Sequence, residues 1–223
     1  MLHCIATHLK TSHDMNQNAQ DNAAALRARL KGLRAGMPPQ DRDRGALLIR
    51  GRLYTWLATN RTRLRESGRP DVRCIAAFWS MADEPALQAL LRQWAQDETL
   101  TVSLPVVAAP GQPLQFRAWT PDTPMKPGAY GILEPEGPQA PAPDIVLVPT
   151  LGYTRQGDRL GYGGGYYDRT LAALRAAGHA FTSVGVAWAC GDLSAEPYAP
   201  AAHDMRLDTV LTDKGWAVPA PEL

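Results

Sequence analysis

The chain has 223 residues, of which 45% are hydrophobic and 20% are charged, and its formal net charge is +1. This composition is typical of a folded protein with a buried core, and it argues against a dedicated nucleic-acid binder, which would be strongly basic. The sequence has neither a run of 18 apolar residues nor a signal-peptide pattern, so we expect a cytoplasmic protein that needs no membrane partner.

Cysteine is too rare for a disulfide scaffold, because the chain has only Cys4, Cys74 and Cys190. Their spacing does not match a zinc motif either. Cys74 and Cys190 lie in apolar runs, which predicts buried thiols.

The start of the chain differs in character from the rest. Residues 1–20 are predicted to form a disordered leader, and residues 21–223 one α/β domain. Residues 21–69 hold 12 Lys/Arg against 4 Asp/Glu, whereas residues 70–223 hold 10 against 17. The basic segment can fold back on the acidic remainder or offer charge to an anionic ligand, although solvated helix faces explain most of its arginines more simply.

Two helices are predicted before the first strand. The first carries an apolar stripe at helical spacing and ends at a pair of prolines; the stripe comprises Leu26, Leu30, Leu33 and Met37. The second is predicted from about Asp41 to Thr59. It is expected to bury Leu47, Leu48, Leu53, Trp56 and Leu57.

The remaining sequence alternates strands with helices. Apolar runs predict strands at 73–79, 101–108, 114–119, 144–150, 181–188 and 207–213. One helix is predicted to begin with Asp83 as its cap and Pro85 in its first turn, and to bury Leu87, Leu90, Leu91 and Trp94. Another is predicted over 165–177. Residues 120–143 contain seven prolines, which predicts an extended, irregular loop.

This alternation predicts an α/β fold with three layers. We expect a mainly parallel sheet with helices on both faces, and residues 114–119 as a possible antiparallel addition. Ligands of such open sheets bind beyond the carboxyl ends of the strands. Three loops begin at such ends, at residues 80–85, 151–168 and 189–206, so we expect them to converge on one cleft.

The stretch RLGYGGGYYDR, residues 159–169, places four glycines directly before a predicted helix. A helix start offers unpaired N–H groups and a positive dipole end, and glycines let the backbone approach a ligand closely. Together these features predict an anion site, most naturally for phosphate. Arg159 adds a possible bidentate clamp, and Asp168 a possible ligand for magnesium.

The loop does not match a standard phosphate motif. It lacks the lysine and hydroxyl of a Walker A loop and the third glycine of a dinucleotide-binding loop. A surface loop that only caps a helix, with Tyr166 and Tyr167 packed in the core, therefore stays open as the alternative.

Residues 144–171, DIVLVPTLGYTRQGDRLGYGGGYYDRTL, resemble the signature of the 5-formyltetrahydrofolate cyclo-ligase family. That signature is a strand ending in V-P-G, followed by G-x-R-L-G-[YR]-G-x-G-Y-Y-D; here Thr150 replaces the glycine of V-P-G. Further stretches resemble family motifs in the same order, namely FWSMADEP, SLPVV, YGILEP and HDMRLDTVLTDKG. The resemblance spans about residues 22–216.

This resemblance implies a ligase that uses ATP and magnesium. It would convert 5-formyltetrahydrofolate to 5,10-methenyltetrahydrofolate and release ADP and phosphate. The formyl oxygen would attack the γ-phosphate, and the 10-nitrogen would then close the ring as phosphate leaves. ATP and the folate are the implied partners, and we expect a monomer.

The resemblance also implies roles for individual residues. Arg159 and Tyr166 would be catalytic. ATP would contact Arg27 and the loop residues Arg159, Leu160, Gly161, Tyr162, Gly163, Gly164, Gly165, Tyr166 and Tyr167. The folate would contact Trp79, Glu84, Tyr130, Tyr162 and Tyr166. Magnesium would bind Asp168 and Asp204.

Structural roles stay open for several of these residues. Asp168, expected near solvent in the cleft, is also explained as a first-turn helix carboxylate, Glu84 as support for the next helix, and Asp204 as a turn residue. Trp79 and Tyr130 are also explained as packing residues.

Two positions depart from the family pattern. The lysine usually found four residues before Arg27 is Ala23 here, and Lys31 is a candidate replacement. A glutamine that often follows the strand at 181–188 is Gly191 here. These departures leave two alternatives open, a non-catalytic nucleotide- or folate-binding protein and a different ATP-dependent small-molecule ligase.

Overall fold

The computed structural model describes residues 20–223, so the predicted leader lies outside the described residues except for Gln20, which is helical. Helix α1 covers residues 20–35. The later helices are α2 (Pro39–Glu66), α3 (Gln88–Trp94) and α4 (Tyr166–Ala176), with short 3-10 turns at Ala129–Gly131 and Ala189–Gly191. No helix in this part of the chain is long and apolar enough to cross a membrane.

Seven strands form the central sheet: β1 (Cys74–Ala76), β2 (Thr101–Val106), β3 (Gln115–Ala118), β6 (Ile145–Pro149), β9 (Thr182–Ala187), β10 (Thr209–Thr212) and β11 (Gly215–Val218). Their order across the sheet is β11-β10-β9-β6-β1-β2-β3. Strands β10, β9, β6, β1 and β2 run parallel, and β3 and β11 pair antiparallel at the two edges. The predicted mainly parallel sheet with an antiparallel addition is confirmed, and β11 is an edge strand that the sequence did not predict.

Two short hairpins lie in segments predicted as loops. Strands β4 (Met125–Pro127) and β5 (Leu133–Pro135) pair within the proline-rich segment. Strands β7 (Gly152–Tyr153) and β8 (Arg159–Leu160) form the second pair, in which β8 is the first part of the glycine stretch. The second hairpin brings Arg159 back beside the end of β6.

Helices cover both faces of the sheet, as predicted. Helices α2 and α3 pack on one face, where Leu53 and Leu91 join the larger apolar cluster. Helix α4 packs on the other face, where Leu171 meets Val146 and Val148 of β6. Strands enclosed in this way read as continuous apolar runs, because neither face meets water.

Helix α2 differs from its prediction in length and in the face that it buries. It runs from Pro39, which suits a first helical position, to Glu66. Its buried stripe follows Ile49, Leu53 and Leu57, whereas Leu47 and Leu48 are exposed. The apolar residues of α2 did not by themselves indicate which helix face is buried, because leucines are also common on protein surfaces. Leu33 of α1, part of the predicted apolar stripe, is exposed as well.

Two further predictions are wrong. Asp83 does not cap α3; instead the Ser80 hydroxyl accepts the Leu87 amide at 3.2 Å and donates to the Pro85 carbonyl at 2.8 Å. Cys74 is buried as predicted, but Cys190 is exposed, because it lies in the 3-10 turn that leaves the sheet after β9.

The chain order around β1 determines where a ligand can enter. After β1 the chain continues to β2 and β3 on one side, and it later returns to β6 on the other side. The connections after β1 and β6 therefore diverge and open a crevice at the carboxyl ends of the strands. Helix α1 closes one side of this end, where Leu26 and Leu30 pack against Leu151, Leu160 and Leu193.

Candidate active site

A cavity of about 630 Å³ lies at the carboxyl ends of β1 and β6. The three loops predicted to converge all reach it, because its lining includes residues from 80–85, from the glycine stretch and from 189–206. Every predicted site residue lines it: Arg27, Trp79, Glu84, Tyr130, Arg159, Leu160, Gly161, Tyr162, Gly163, Gly164, Gly165, Tyr166, Tyr167, Asp168 and Asp204. Its size is that of a small-molecule site.

Side chains hold the carbonyl groups of the glycine stretch. Arg27 Nε donates to Gly161 O at 2.9 Å, Arg169 Nη2 to Gly164 O at 2.6 Å, and Tyr198 Oη to Arg159 O at 2.8 Å. In a planar trans peptide the N–H points opposite to the C=O. The N–H groups of these peptide units, which belong to Leu160, Tyr162 and Gly165, therefore point away from the three donors.

Two of the glycines adopt backbone angles that disfavour other residues. Gly163 has φ of 103° and Gly165 has φ of 63°, and Gly165 is the residue that immediately precedes α4. Both angles lie in the left-handed region, which glycine enters without steric cost. The chain therefore turns sharply into α4, and the Arg169 guanidinium lies over this turn, with its Nη1 2.7 Å from the position that a Cβ on Gly165 would take.

Arg159 and Asp168 form an ion pair inside the site. Arg159 Nη2 lies 2.7 Å from Asp168 Oδ2, and each residue is at most 7% exposed. Asp168 Oδ1 also accepts the Met205 amide at 3.1 Å. The expectation that Asp168 lies near solvent is wrong, because the β7–β8 hairpin folds Arg159 over it.

The candidate magnesium ligands form a small set of oxygen donors. Asp204 accepts the Ala201 amide through Oδ2 at 2.8 Å, and its neighbour Met205 contacts Asp168. Among residues 20–223, no three His, Cys, Asp or Glu side chains form a group that could hold a metal ion. Two carboxylates are the protein ligands that Mg²⁺ commonly takes when phosphate oxygens and water complete its coordination, so Asp168 and Asp204 fit an ion that a phosphorylated ligand would bring.

Glu84 lines the cavity as a buried carboxyl group. Its Oε1 accepts the Tyr162 hydroxyl at 2.6 Å and its Oε2 accepts the Met81 amide at 2.9 Å. Burial raises the pKa of Glu84, while these two bonds and the charge of Arg34 oppose that rise. Both oxygens keep a lone pair for donors from a ligand, so the group suits a substrate that presents two N–H groups.

Aromatic side chains complete the walls. Trp79 packs edge-on against Trp119, with ring centroids 6.0 Å apart. Tyr130 is 77% exposed and has φ of 62°, the only positive φ of a non-glycine residue between 20 and 223. Its hydroxyl lies 3.2 Å from that of Tyr166. A packing role alone does not explain Tyr130, because a buried environment is what such a role requires.

Three residues of this region were not predicted as site residues. Arg34 contacts Tyr162, while Tyr198 and Arg169 hold the glycine stretch. Arg34 follows Arg27 by seven residues and so lies on the same helix face, a spacing that would have indicated it. Tyr198 carried no comparable signal, because its contact joins segments 39 residues apart in sequence.

The two departures from the family pattern have different structural settings. Ala23 packs against the apolar cluster of α1, and Lys31, one turn after Arg27, lines the cavity. Gly191 is buried, and a Cβ placed on it would lie 2.6 Å from the Leu151 carbonyl oxygen. A glutamine at this position would therefore require the backbone to move.

Gly191→Gln is expected to lower the free energy of unfolding by about 1–3 kcal/mol, the usual cost of overpacking. The urea midpoint at unchanged slope measures this loss. Gly51→Gln is the matched control, because a Cβ at Gly51 meets no atom within 4 Å and glycine is a poor helix former. Equal midpoints for wild type and Gly191→Gln would contradict the close packing at this position.

Comparison with known proteins gives a consistent family. A model of the 5-formyltetrahydrofolate cyclo-ligase family matches residues 19–213. The 5-formyltetrahydrofolate cyclo-ligase of Mycolicibacterium smegmatis is 33% identical over 198 residues, which cover 85% of this chain and 92% of that protein. The enzyme of the same name from Haemophilus influenzae is 37% identical over 123 residues, 52% of this chain and 64%, just under two thirds, of the relative.

Two solved structures share the fold. The NMR structure of Aquifex aeolicus 5,10-methenyltetrahydrofolate synthetase has a TM-score of 0.70 at 23% identity, covering 90% of this chain and 95% of that one. The Mycoplasma pneumoniae 5,10-methenyltetrahydrofolate synthetase has a TM-score of 0.64 at 18% identity, covering 86% and 98%. At these identities the likeness concerns the α/β fold.

Proposed function

The chain belongs to the 5-formyltetrahydrofolate cyclo-ligase family, a family of ATP-dependent ligases, and from that premise we propose that it converts 5-formyltetrahydrofolate to 5,10-methenyltetrahydrofolate. ATP is the proposed co-substrate, and ADP and phosphate are the other products. One observation supports the proposal most strongly: the glycine stretch at the start of α4 and the buried Glu84 line the same cavity.

The proposed reaction has two steps. The formyl oxygen attacks the γ-phosphorus, the bond to the β-phosphate oxygen breaks, and ADP leaves. The 10-nitrogen then attacks the formyl carbon and gives up its proton to the departing phosphate or to water. The bond from the formyl carbon to oxygen breaks, and phosphate leaves with the former formyl oxygen. Neither step needs a protein nucleophile, so the site must mainly align the two substrates and neutralise charge on the transferred group.

The glycine stretch and Arg159 are suited to the phosphate end. The α4 N-terminus offers N–H groups and the positive end of the helix dipole. Arg159 Nε is buried without a hydrogen-bond partner among residues 20–223, and so is the Tyr167 hydroxyl. Both atoms are enclosed by the protein, whereas other parts of the two residues line the cavity. We assign Arg159 to the transferred phosphoryl group because it lines the cavity within the glycine stretch.

Glu84 is suited to the pterin end. An ionised carboxylate with one lone pair left on each oxygen can accept the paired N–H groups of the pterin ring. Tyr130 and Tyr166 line the same cavity as Glu84, and their hydroxyls are 3.2 Å apart. We assign these two rings to contacts with the formyl group. We assign Tyr162 to both substrates, because it belongs to the glycine stretch and its hydroxyl donates to Glu84.

Magnesium would neutralise phosphate charge while bound to the nucleotide. Asp204 is the better placed ligand, because only its Oδ2 is used by a backbone amide. Asp168 would need to share the carboxylate oxygen that Arg159 contacts. Arg27 and Lys31, which line the same cavity from α1, add positive charge near the glycine stretch; we propose that Lys31 replaces the lysine that the family places at position 23.

The rise of 5,10-methenyltetrahydrofolate absorbance tests this function. Purified protein with 5-formyltetrahydrofolate, ATP and magnesium is expected to form product with one ADP for each ring closed, and omission of ATP is expected to abolish the signal. Folded protein that binds both ligands without product would favour the non-catalytic alternative. Binding of ATP without folate would favour a different ligase.

A further inference from the structure

Arg34, near the C-terminal end of α1, is a buried cation that lacks a direct counterion. It is 1% exposed, and it donates to the carbonyl oxygens of Thr150 and Leu151 and to the hydroxyl of Tyr162. The ion pairs between residues 20 and 223 do not include it. A buried charge is costly unless another group compensates it, so the next contacts along this chain of hydrogen bonds matter.

Tyr162 connects Arg34 to Glu84. The Tyr162 hydroxyl oxygen lies 2.7 Å from Arg34 Nη1 and 2.6 Å from Glu84 Oε1. A guanidinium group can only donate, so the phenol oxygen accepts from Arg34. The single proton of the phenol is then directed to Glu84, whose Oε1 must act as the acceptor.

We propose that Arg34 is a positioning residue which, through Tyr162, holds Glu84 as an oriented carboxylate for the N–H groups of the folate. This inference rests on the proposed function, since it concerns the same substrate. Arg34 itself does not need to touch the folate. Its position on α1 makes the basic N-terminal segment part of the folate side of the site as well as the phosphate side.

The surroundings of Glu84 show why such support is needed. Burial raises the pKa of Glu84 and Asp83 adds to that rise, whereas the Tyr162 bond and the charge of Arg34 lower it. Burial and the charge of Glu84 raise the pKa of Tyr167 of α4, so this phenol is a further electrostatic neighbour. Of these four neighbours only Arg34 carries a positive charge. A protonated Glu84 would present a donor to a substrate edge that also donates, and binding would weaken.

Folate binding as a function of pH tests this role without turnover. Calorimetry of 5-formyltetrahydrofolate with a non-hydrolysable ATP analogue and magnesium, from about pH 5 to 9, gives the dissociation constant of each variant. In Arg34→Met we expect the affinity for the folate to be about 10-fold weaker near neutral pH. We call the fall of affinity toward low pH the acidic limb of the binding curve, and in Arg34→Met we expect its midpoint to lie about one pH unit higher than in wild type.

Two further variants separate this role from a structural one. Tyr162→Phe breaks the link to Glu84 but leaves both carbonyl contacts of Arg34, so it carries the test if Arg34→Met does not fold. It is expected to move the acidic limb in the same direction. Arg29→Met is the matched control, because Arg29 lies on the same helix and pairs only with the surface residue Glu196; it is expected to follow the wild-type curve.

A Glu84→Gln background completes the test. Glutamine cannot ionise, so adding Arg34→Met to Glu84→Gln is expected to cause no further loss of affinity and no shift of the limb. Wild-type limbs in both Arg34→Met and Tyr162→Phe would overturn the role of Arg34 while leaving the proposed function intact. Wild-type protein that fails to bind the folate would overturn both.

Discussion

Asp168→Asn is expected to lower the free energy of unfolding by about 3–5 kcal/mol, the usual cost of breaking a buried ion pair. Arg159 and Asp168 are 6% and 7% exposed, and their atoms are 2.7 Å apart. Asparagine would leave the Arg159 charge buried without its partner. The whole stability of such a protein is typically about 5–15 kcal/mol, so this variant is expected to be marginally folded.

Turnover of Asp168→Asn is expected to fall as well, by about 100-fold or more, the effect of losing one preorganised group at a site of charge development. The reason is that Asp168 holds the Arg159 guanidinium beside the glycine stretch. Turnover is measured at a temperature where circular dichroism shows the variant to be folded, so that the two effects are separated.

Asp158→Asn is the matched control for this variant. Asp158 pairs with Arg206 at 3.1 Å; the Arg206 side chain is 64% exposed and that of Asp158 is 14% exposed. The Thr154 hydroxyl also donates to Asp158 Oδ2 at 3.0 Å, and asparagine keeps an oxygen that can accept this bond. Because Arg206 stays solvated when the pair is lost, this change is expected to cost about 0–1 kcal/mol. Equal urea midpoints for Asp158→Asn and Asp168→Asn would contradict a structural role for the buried pair, and unchanged turnover would exclude Asp168 as an essential residue.

Glu84→Gln is expected to raise the KM for the folate by about 10- to 100-fold, because a hydrogen bond to a charged group contributes about 1.5–3 kcal/mol. The glutamine side chain keeps one acceptor and turns an N–H₂ group toward the N–H groups of the pterin. The KM for ATP is expected to change less than about 3-fold. Steady-state kinetics with each substrate varied in turn measures both constants.

The pH dependence of the folate KM gives a second readout for Glu84. Burial raises the pKa of its carboxyl group, so the ionised form disappears at a higher pH than for an exposed glutamate. Folate affinity is therefore expected to weaken as the pH falls through this raised pKa, and Glu84→Gln is expected to lose that dependence. Glu196, which pairs with Arg29 away from the cavity, is changed to glutamine as the control. Equal rises in both KM values would argue against contact with the pterin.

The sequence predicted the framework of the site but not its charge pairing. Apolar runs and glycine positions were enough to predict the parallel sheet, the three converging loops and α4. They did not indicate that Arg159 pairs with Asp168, because this contact depends on the β7–β8 hairpin, whose strands have only two residues each. A first-turn aspartate is exposed in most helices, and only this tertiary contact buries Asp168.

Arg34 shows a second limit of the sequence. It lies among several arginines of a basic segment, and one-dimensional spacing does not distinguish a solvated arginine from a buried one. Arg34 differs from the solvated arginines because the leucines of α1 pack against Leu151 and Leu160. This packing places the Arg34 guanidinium within hydrogen-bond distance of the Thr150 and Leu151 carbonyl oxygens. The exposed Leu47 and Leu48 of α2 illustrate the opposite case, apolar residues that no neighbouring element covers.

The fate of the formyl oxygen is the most direct test that one cavity aligns ATP with the folate. 5-Formyltetrahydrofolate carrying a heavy-oxygen label in its formyl group is converted with unlabelled ATP, and the released phosphate is analysed by mass spectrometry. Transfer of the formyl oxygen to the γ-phosphoryl group predicts one labelled oxygen in each phosphate released. Unlabelled phosphate with all of the label in water would contradict direct transfer between the two substrates.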